Sequence, residues 1–141
     1  MERRRQANRS TICKGEIILL VNPIKYRVAC FRKEGSVGVG VERYRVEDGQ
    51  NVIEFIGSYN IGNASRQDTV RFYIREILKQ QEPDEEVLIR IADHHLRNKR
   101  EWLTIHPKRV KFNIEPTGKF KTCQMMAADA CIRGFSITEN L

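Results

Sequence analysis

The chain has 141 residues, 40% of them hydrophobic and 30% charged, the size and balance of one globular domain and not of a disordered or fibrous chain. Its longest uninterrupted apolar run, Ile17 to Val21, falls far short of the roughly 18 residues that a membrane helix needs. Met1 to Gln6 leads into no apolar leader region, so no membrane partner is expected and the expected location is intracellular, cytoplasmic or nuclear.

In chain order, residues 1–14 are polar and arginine-rich without apolar period and read as a flexible basic arm before a domain over residues 15–141. Ile17 to Val21 reads as a buried central strand stopped by Asn22-Pro23, with Tyr26 to Phe31 continuing it after a bend. Val37 to Val46 alternates with period two, Glu47-Asp48-Gly49-Gln50 is a turn, and Asn51 to Gly57 returns as the other half of a hairpin. The period then becomes helical. Val70, Tyr73, Ile74, Ile77 and Leu78 form one apolar stripe, with Ser65 as N-cap and Glu82-Pro83 as the stop. Val87 to Ala92 is another central strand, His94 to Leu103 a short basic helix, Val110 to Ile114 a fifth strand, Glu115 to Lys121 a loop and Thr122 to Phe135 a final helix. The order β-β-β-α-β-α-β-α predicts an α/β fold, a mixed five-stranded sheet with helices on its faces.

The net charge of +7 is unevenly spread. Residues 1–15 hold five Lys/Arg against one acid, 16–92 eleven against twelve, 93–121 eight against three, and 122–141 one against two. A basic arm and one later basic block around a neutral middle is the pattern of a polyanion-binding surface, which makes nucleic acid the expected partner. Arg97, Lys99, Arg100, Lys108, Arg109, Lys119 and Lys121 are the expected phosphate contacts, and Trp102 among basic neighbours is open to base stacking or to packing in the core. Cys13, Cys30, Cys123 and Cys131 show no CxxC or zinc spacing and are expected to be reduced, buried thiols.

Four polar residues fall at the ends of the central elements: Asn22 after the first apolar run, Asp68 in the first turn of the long helix, Asp93 after the second buried strand, and Asp129 among Met and Ala in the last helix. Each also has an ordinary role. Asp68 suits a helix N-terminus, Asp93 caps a following helix, and Asp129 fits an exposed helix face. His94 and His95 read as surface groups beside the site.

On these residues the chain, from Gly15 to Phe135, resembles the ribonuclease H family. Ala64-Ser65-Arg66-Gln67-Asp68-Thr69-Val70 is similar to its first-helix segment, Ile89 to Asp93 to its strand-to-helix segment, and Ala127-Ala128-Asp129-Ala130 to its final aspartate followed by small residues. The resemblance implies four site positions, Asn22, Asp68, Asp93 and Asp129, with Asn22 where the family has its first catalytic aspartate. It implies two Mg²⁺ or Mn²⁺ ions held there, converging side chains within about 8 Å, and hydrolysis of the RNA strand of an RNA–DNA hybrid or of RNA. An amide at Asn22 weakens that chemistry. The alternative is therefore a non-catalytic ribonuclease H-like scaffold that binds RNA or a protein partner.

Overall fold

The computed structural model describes residues 23–93, 96 and 110–141. The arm over residues 1–14, the run Ile17 to Val21, Asn22 and most of the basic block lie outside the described residues. The elements run β1 (Ile24–Lys33), β2 (Ser36–Glu47), β3 (Gln50–Asn60), α1 (Arg66–Lys79), β4 (Val87–Ala92), β5 (Val110–Glu115), α2 (Lys121–Arg133) and β6 (Ile137–Asn140). The sheet has six strands in the order β5-β4-β1-β2-β3-β6. β1, β2, β3 and β6 pair antiparallel, and β4 and β5 join β1 in parallel.

The mixed sheet was legible in the period of its strands, and the sixth strand was not. β6 is four residues long and exposed throughout, so it carries no alternation that a sequence reading can use. The central strand is Ile24–Lys33, which begins after Pro23.

Each strand sorts its side chains by parity. Tyr26, Val28, Val39, Val41, Ile89 and Ile91 point to the α1 face and close a core with Val70, Tyr73 and Ile77 of α1. The Ser65 hydroxyl accepts the Asp68 N–H at 3.0 Å and caps α1 as expected. On the other face α2 lies against β1, β2 and β3, with Cys123, Ala127, Ala130 and Cys131 turned inward. Gly38 and Gly40 permit that approach: a Cβ on Gly40 would stand 2.1 Å from the Cys123 carbonyl oxygen, and one on Gly38 1.8 Å from that of Ala127. Cys30, Cys123 and Cys131 are free thiols, two of them buried. Among the described residues no helix is long and apolar enough to cross a membrane.

Candidate functional site

β1 and β4 run parallel with Ala29 beside Ala92. The next residue on each strand is therefore Cys30 and Asp93, side by side where the two strands leave the sheet. Both turn to the α1 face, because they share parity with Val28 and Ile91. The first turn of α1 contributes Arg66, whose Nη1 lies 3.7 Å from Asp93 Oδ2. Arg32, two residues beyond Cys30, donates to the Ala64 carbonyl and, at 3.1 Å, to Thr69 Oγ1, which ties the end of β1 to α1. From the opposite face Gln124 of α2 donates Nε2 to the Cys30 carbonyl at 3.3 Å, and its Oε1 is buried without a partner among the described residues. The Tyr73 hydroxyl is also buried without a partner among them.

The electrostatics follow from this placement. Burial first, then the Asp93 carboxylate, pushes the Cys30 thiol from its ordinary 9.0 up to about 12, although Arg32 and Arg66 pull the other way. Burial holds the Tyr73 phenol well above 10.0, with Cys30 and Asp93 adding to it. Tyr59 is likewise raised by burial, to about 12. In each case the folded state keeps a proton that the unfolded chain has already released at alkaline pH. This stabilising contribution is complete below pH about 9 and is lost as pH climbs toward about 12. Denaturation midpoints measured between pH about 9 and about 10.5 should fall steadily; a flat or rising profile would contradict it.

Among the described residues the expected carboxylates are not brought together. Asp68 is exposed on the outer side of α1, 3.2 Å from Arg71. Asp129 is exposed on α2 and pairs with Arg133 at 2.7 Å, because the inward face of that helix belongs to Cys123, Ala127 and Cys131. Of the three expected positions that are described, Asp93 alone stands at the strand ends. Among the described residues no three His, Cys, Asp or Glu side chains gather to hold a metal ion. The neighbour of Asp93 on β1 is Cys30. Asn22 itself lies outside the described residues, as do Arg97, Lys99, Arg100, Trp102, Lys108 and Arg109. A protonated, half-buried thiol and one carboxylate already facing Arg66 are a poor donor set for hard dications, which take charged oxygen ligands. The described residues do not fit two Mg²⁺ or Mn²⁺ ions.

Sequence reading missed Cys30 and Gln124. The signal for Cys30 was the matched small-then-polar pair, Ala29-Cys30 and Ala92-Asp93, at the ends of two strands. Gln124 carried no comparable signal.

Comparison with solved structures agrees with this architecture. LC11-RNase H1, isolated from compost by a metagenomic approach, superposes with a TM-score of 0.58 over 81% of this chain and 99% of that one, at 14% identity. Its complex with an RNA/DNA hybrid gives 0.55 over 79% and 98%, at 13% identity. The fold is that of ribonuclease H. No protein-family model and no curated protein sequence matches the chain.

Within this ribonuclease H-like fold and among the described residues, one opening sets Arg43 and Lys79 beside Glu76, and two more carry basic side chains. At the β1–β2 hairpin, Arg32, Lys33, Glu34, Ser36 and Asn63 line a cavity of about 250 Å³ that is one charge positive. At the start of α2, Lys119 and Lys121, both expected phosphate contacts, stand at the rim of another of about 240 Å³. Neither lysine has an acidic partner among the described residues.

Proposed function

We propose that this chain is a ribonuclease H-like module that grips an RNA-containing duplex and does not cleave it. The observation that carries the reading is Cys30 beside Asp93: where β1 and β4 leave the sheet, a protonated thiol occupies the place at which metal-dependent hydrolysis needs a carboxylate. Binding is supported by the net charge of +7, by the cationic openings at Arg32 and Lys33 and at Lys119 and Lys121, and by the fold. The hybrid held by LC11-RNase H1 makes a hybrid the first duplex to try. The basic block from Arg97 to Arg109 adds five cations to the same account.

The test is hybrid binding followed by fluorescence anisotropy across a salt series. Affinity should fall steeply with salt, and Lys33→Glu or Lys119→Glu should each lower the log–log slope by about 1, the effect of one lost phosphate contact. Arg71→Glu, on the outer face of α1, should leave the slope unchanged. Absence of hybrid binding at low salt would remove the proposal.

A further inference from the structure

On the α2 face Arg27 of β1 stands directly across from Glu42 of β2. Its Nη2 lies 3.0 Å from Glu42 Oε1, and the Cys123 thiol donates to the same oxygen at 3.4 Å. Two rings hold the guanidinium: its carbon is 4.6 Å from the Tyr44 ring centre and 5.7 Å from that of Phe120. Arg90, beside Arg27 on β4, lies 5.0 Å from the Phe120 ring centre and is held by Glu115 at 2.8 Å and by the Tyr44 hydroxyl at 3.0 Å. Arg27 Nε is buried and has no hydrogen-bond partner among the described residues. A cation row inside a helix-covered sheet face is costly unless it serves something, since each charge must be taken out of water.

What it faces is an opening. Arg27, Glu42, Lys119, Phe120, Lys121 and Thr122 line the cavity of about 240 Å³ at the start of α2. Three cations and one carboxylate leave it two charges positive, and Glu42 is already engaged by Arg27 and Cys123. Phe120, the residue at the N-cap of α2, offers no side-chain oxygen to the first turn, so the backbone N–H groups there are not capped by a side chain. The Thr122 side chain adds a hydroxyl donor. We infer that this cavity seats a phosphate group of a nucleic-acid strand, held by Arg27, Lys119, Lys121 and Thr122. The preorganised planar fork of Arg27 and the two mobile lysines are the groups that recognise phosphate oxygens. This inference rests on the proposed function only in assigning the phosphate to a nucleic-acid strand; the cavity itself is separate from the Cys30–Asp93 junction and from the hairpin opening.

The experiment titrates the isotope-labelled full chain with inorganic phosphate, and with one short RNA carrying either a 5′-phosphate or a 5′-hydroxyl. Amide shifts over residues 120–123 should saturate. The affinity should drop at least about tenfold, one lost charge-assisted contact or more, in Lys119→Glu/Lys121→Glu and in Thr122→Val/Lys121→Ala. A preference for the 5′-phosphorylated strand identifies a terminal phosphate; equal binding of both strands, lost in the same variants, identifies an internal one. Shifts that do not saturate, or that persist unchanged in both variants, overturn the site. If inorganic phosphate saturates these amides while no hybrid binds, the nucleic-acid reading fails and the anion site stands. If hybrid binds undiminished in both variants, the assignment of this cavity to a nucleic-acid phosphate fails and the proposed hybrid binding stands.

Discussion

Gly40→Ala should destabilise the protein by about 3 kcal/mol, the upper end of what overpacking a core costs, and lower its melting temperature by roughly 10 °C. In a strand interior alanine ordinarily gains a few tenths to about 1 kcal/mol over glycine, so the sign of the result is itself diagnostic. The reason is contact geometry. The new methyl group would stand 2.1 Å from the carbonyl oxygen of Cys123 and 2.9 Å from its carbon, and backbone inside a helix cannot rotate away. Relief requires α2 to lift off β2, which would open the packing of Cys123 and Ala127 and disturb the hydrogen bond from Gln124 to β1. Gly38→Ala, with its methyl 1.8 Å from the Ala127 oxygen, should behave alike. Gly49→Ala gives the contrast: at φ 77° with nothing within 4 Å, only backbone strain applies, of about 1–2 kcal/mol. Thermal denaturation of the three variants checks the order; equal losses in all three would contradict direct helix-on-glycine packing.

Removing the carboxylate beneath Arg27 should be as damaging. Glu42 is 4% exposed, and its ion pair with Arg27 is closed over by Cys123 and Phe120. Glu42→Ala leaves a guanidinium in a partly buried place with its main partner gone, at a cost of about 3–5 kcal/mol. Replacing both partners together, as Arg27→Met/Glu42→Leu, removes the charge and the unmet partner at once and should recover most of that loss. The double variant thereby separates the ion pair's contribution to stability from its role at the cavity: it should fold, and it should no longer saturate with phosphate. Urea denaturation of the single and double variants is the measurement. A double variant no more stable than Glu42→Ala would mean that packing, and not the unpaired charge, sets the cost.

Much of the architecture was legible because its elements obey their own periods. The Asp48-Gly49 turn adopts positive φ at both residues, as its composition predicts. Val70, Tyr73, Ile74 and Ile77 do face the sheet, and Ser65 does cap the helix that carries them. The site was less legible, for local reasons. Asp129 is surrounded in sequence by Met125, Ala127 and Ala130, yet neighbours along a helix point in different directions. Its side chain leaves the face that those alanines bury and reaches Arg133 one turn on. Ile17 to Val21 is the more continuous apolar run, but the strand beside β4 is the one that alternates Tyr26, Val28 and Cys30 with Arg27 and Ala29. An arginine in the middle of a central strand argues against burial until Glu42 is found across from it, and that partner is fixed by strand register, not by sequence distance.

The proposed duplex-binding ribonuclease H-like module, without cleavage at the Cys30–Asp93 junction, is open to a direct measurement. End-labelled RNA–DNA hybrid is held with excess protein at low salt, where anisotropy reports saturation, and Mg²⁺ or Mn²⁺ is added for hours before a denaturing gel. Saturated binding with the RNA strand intact at both metals is the expected result. Metal-dependent fragments that vanish in Asp93→Asn, in a protein that still binds the hybrid, would contradict it.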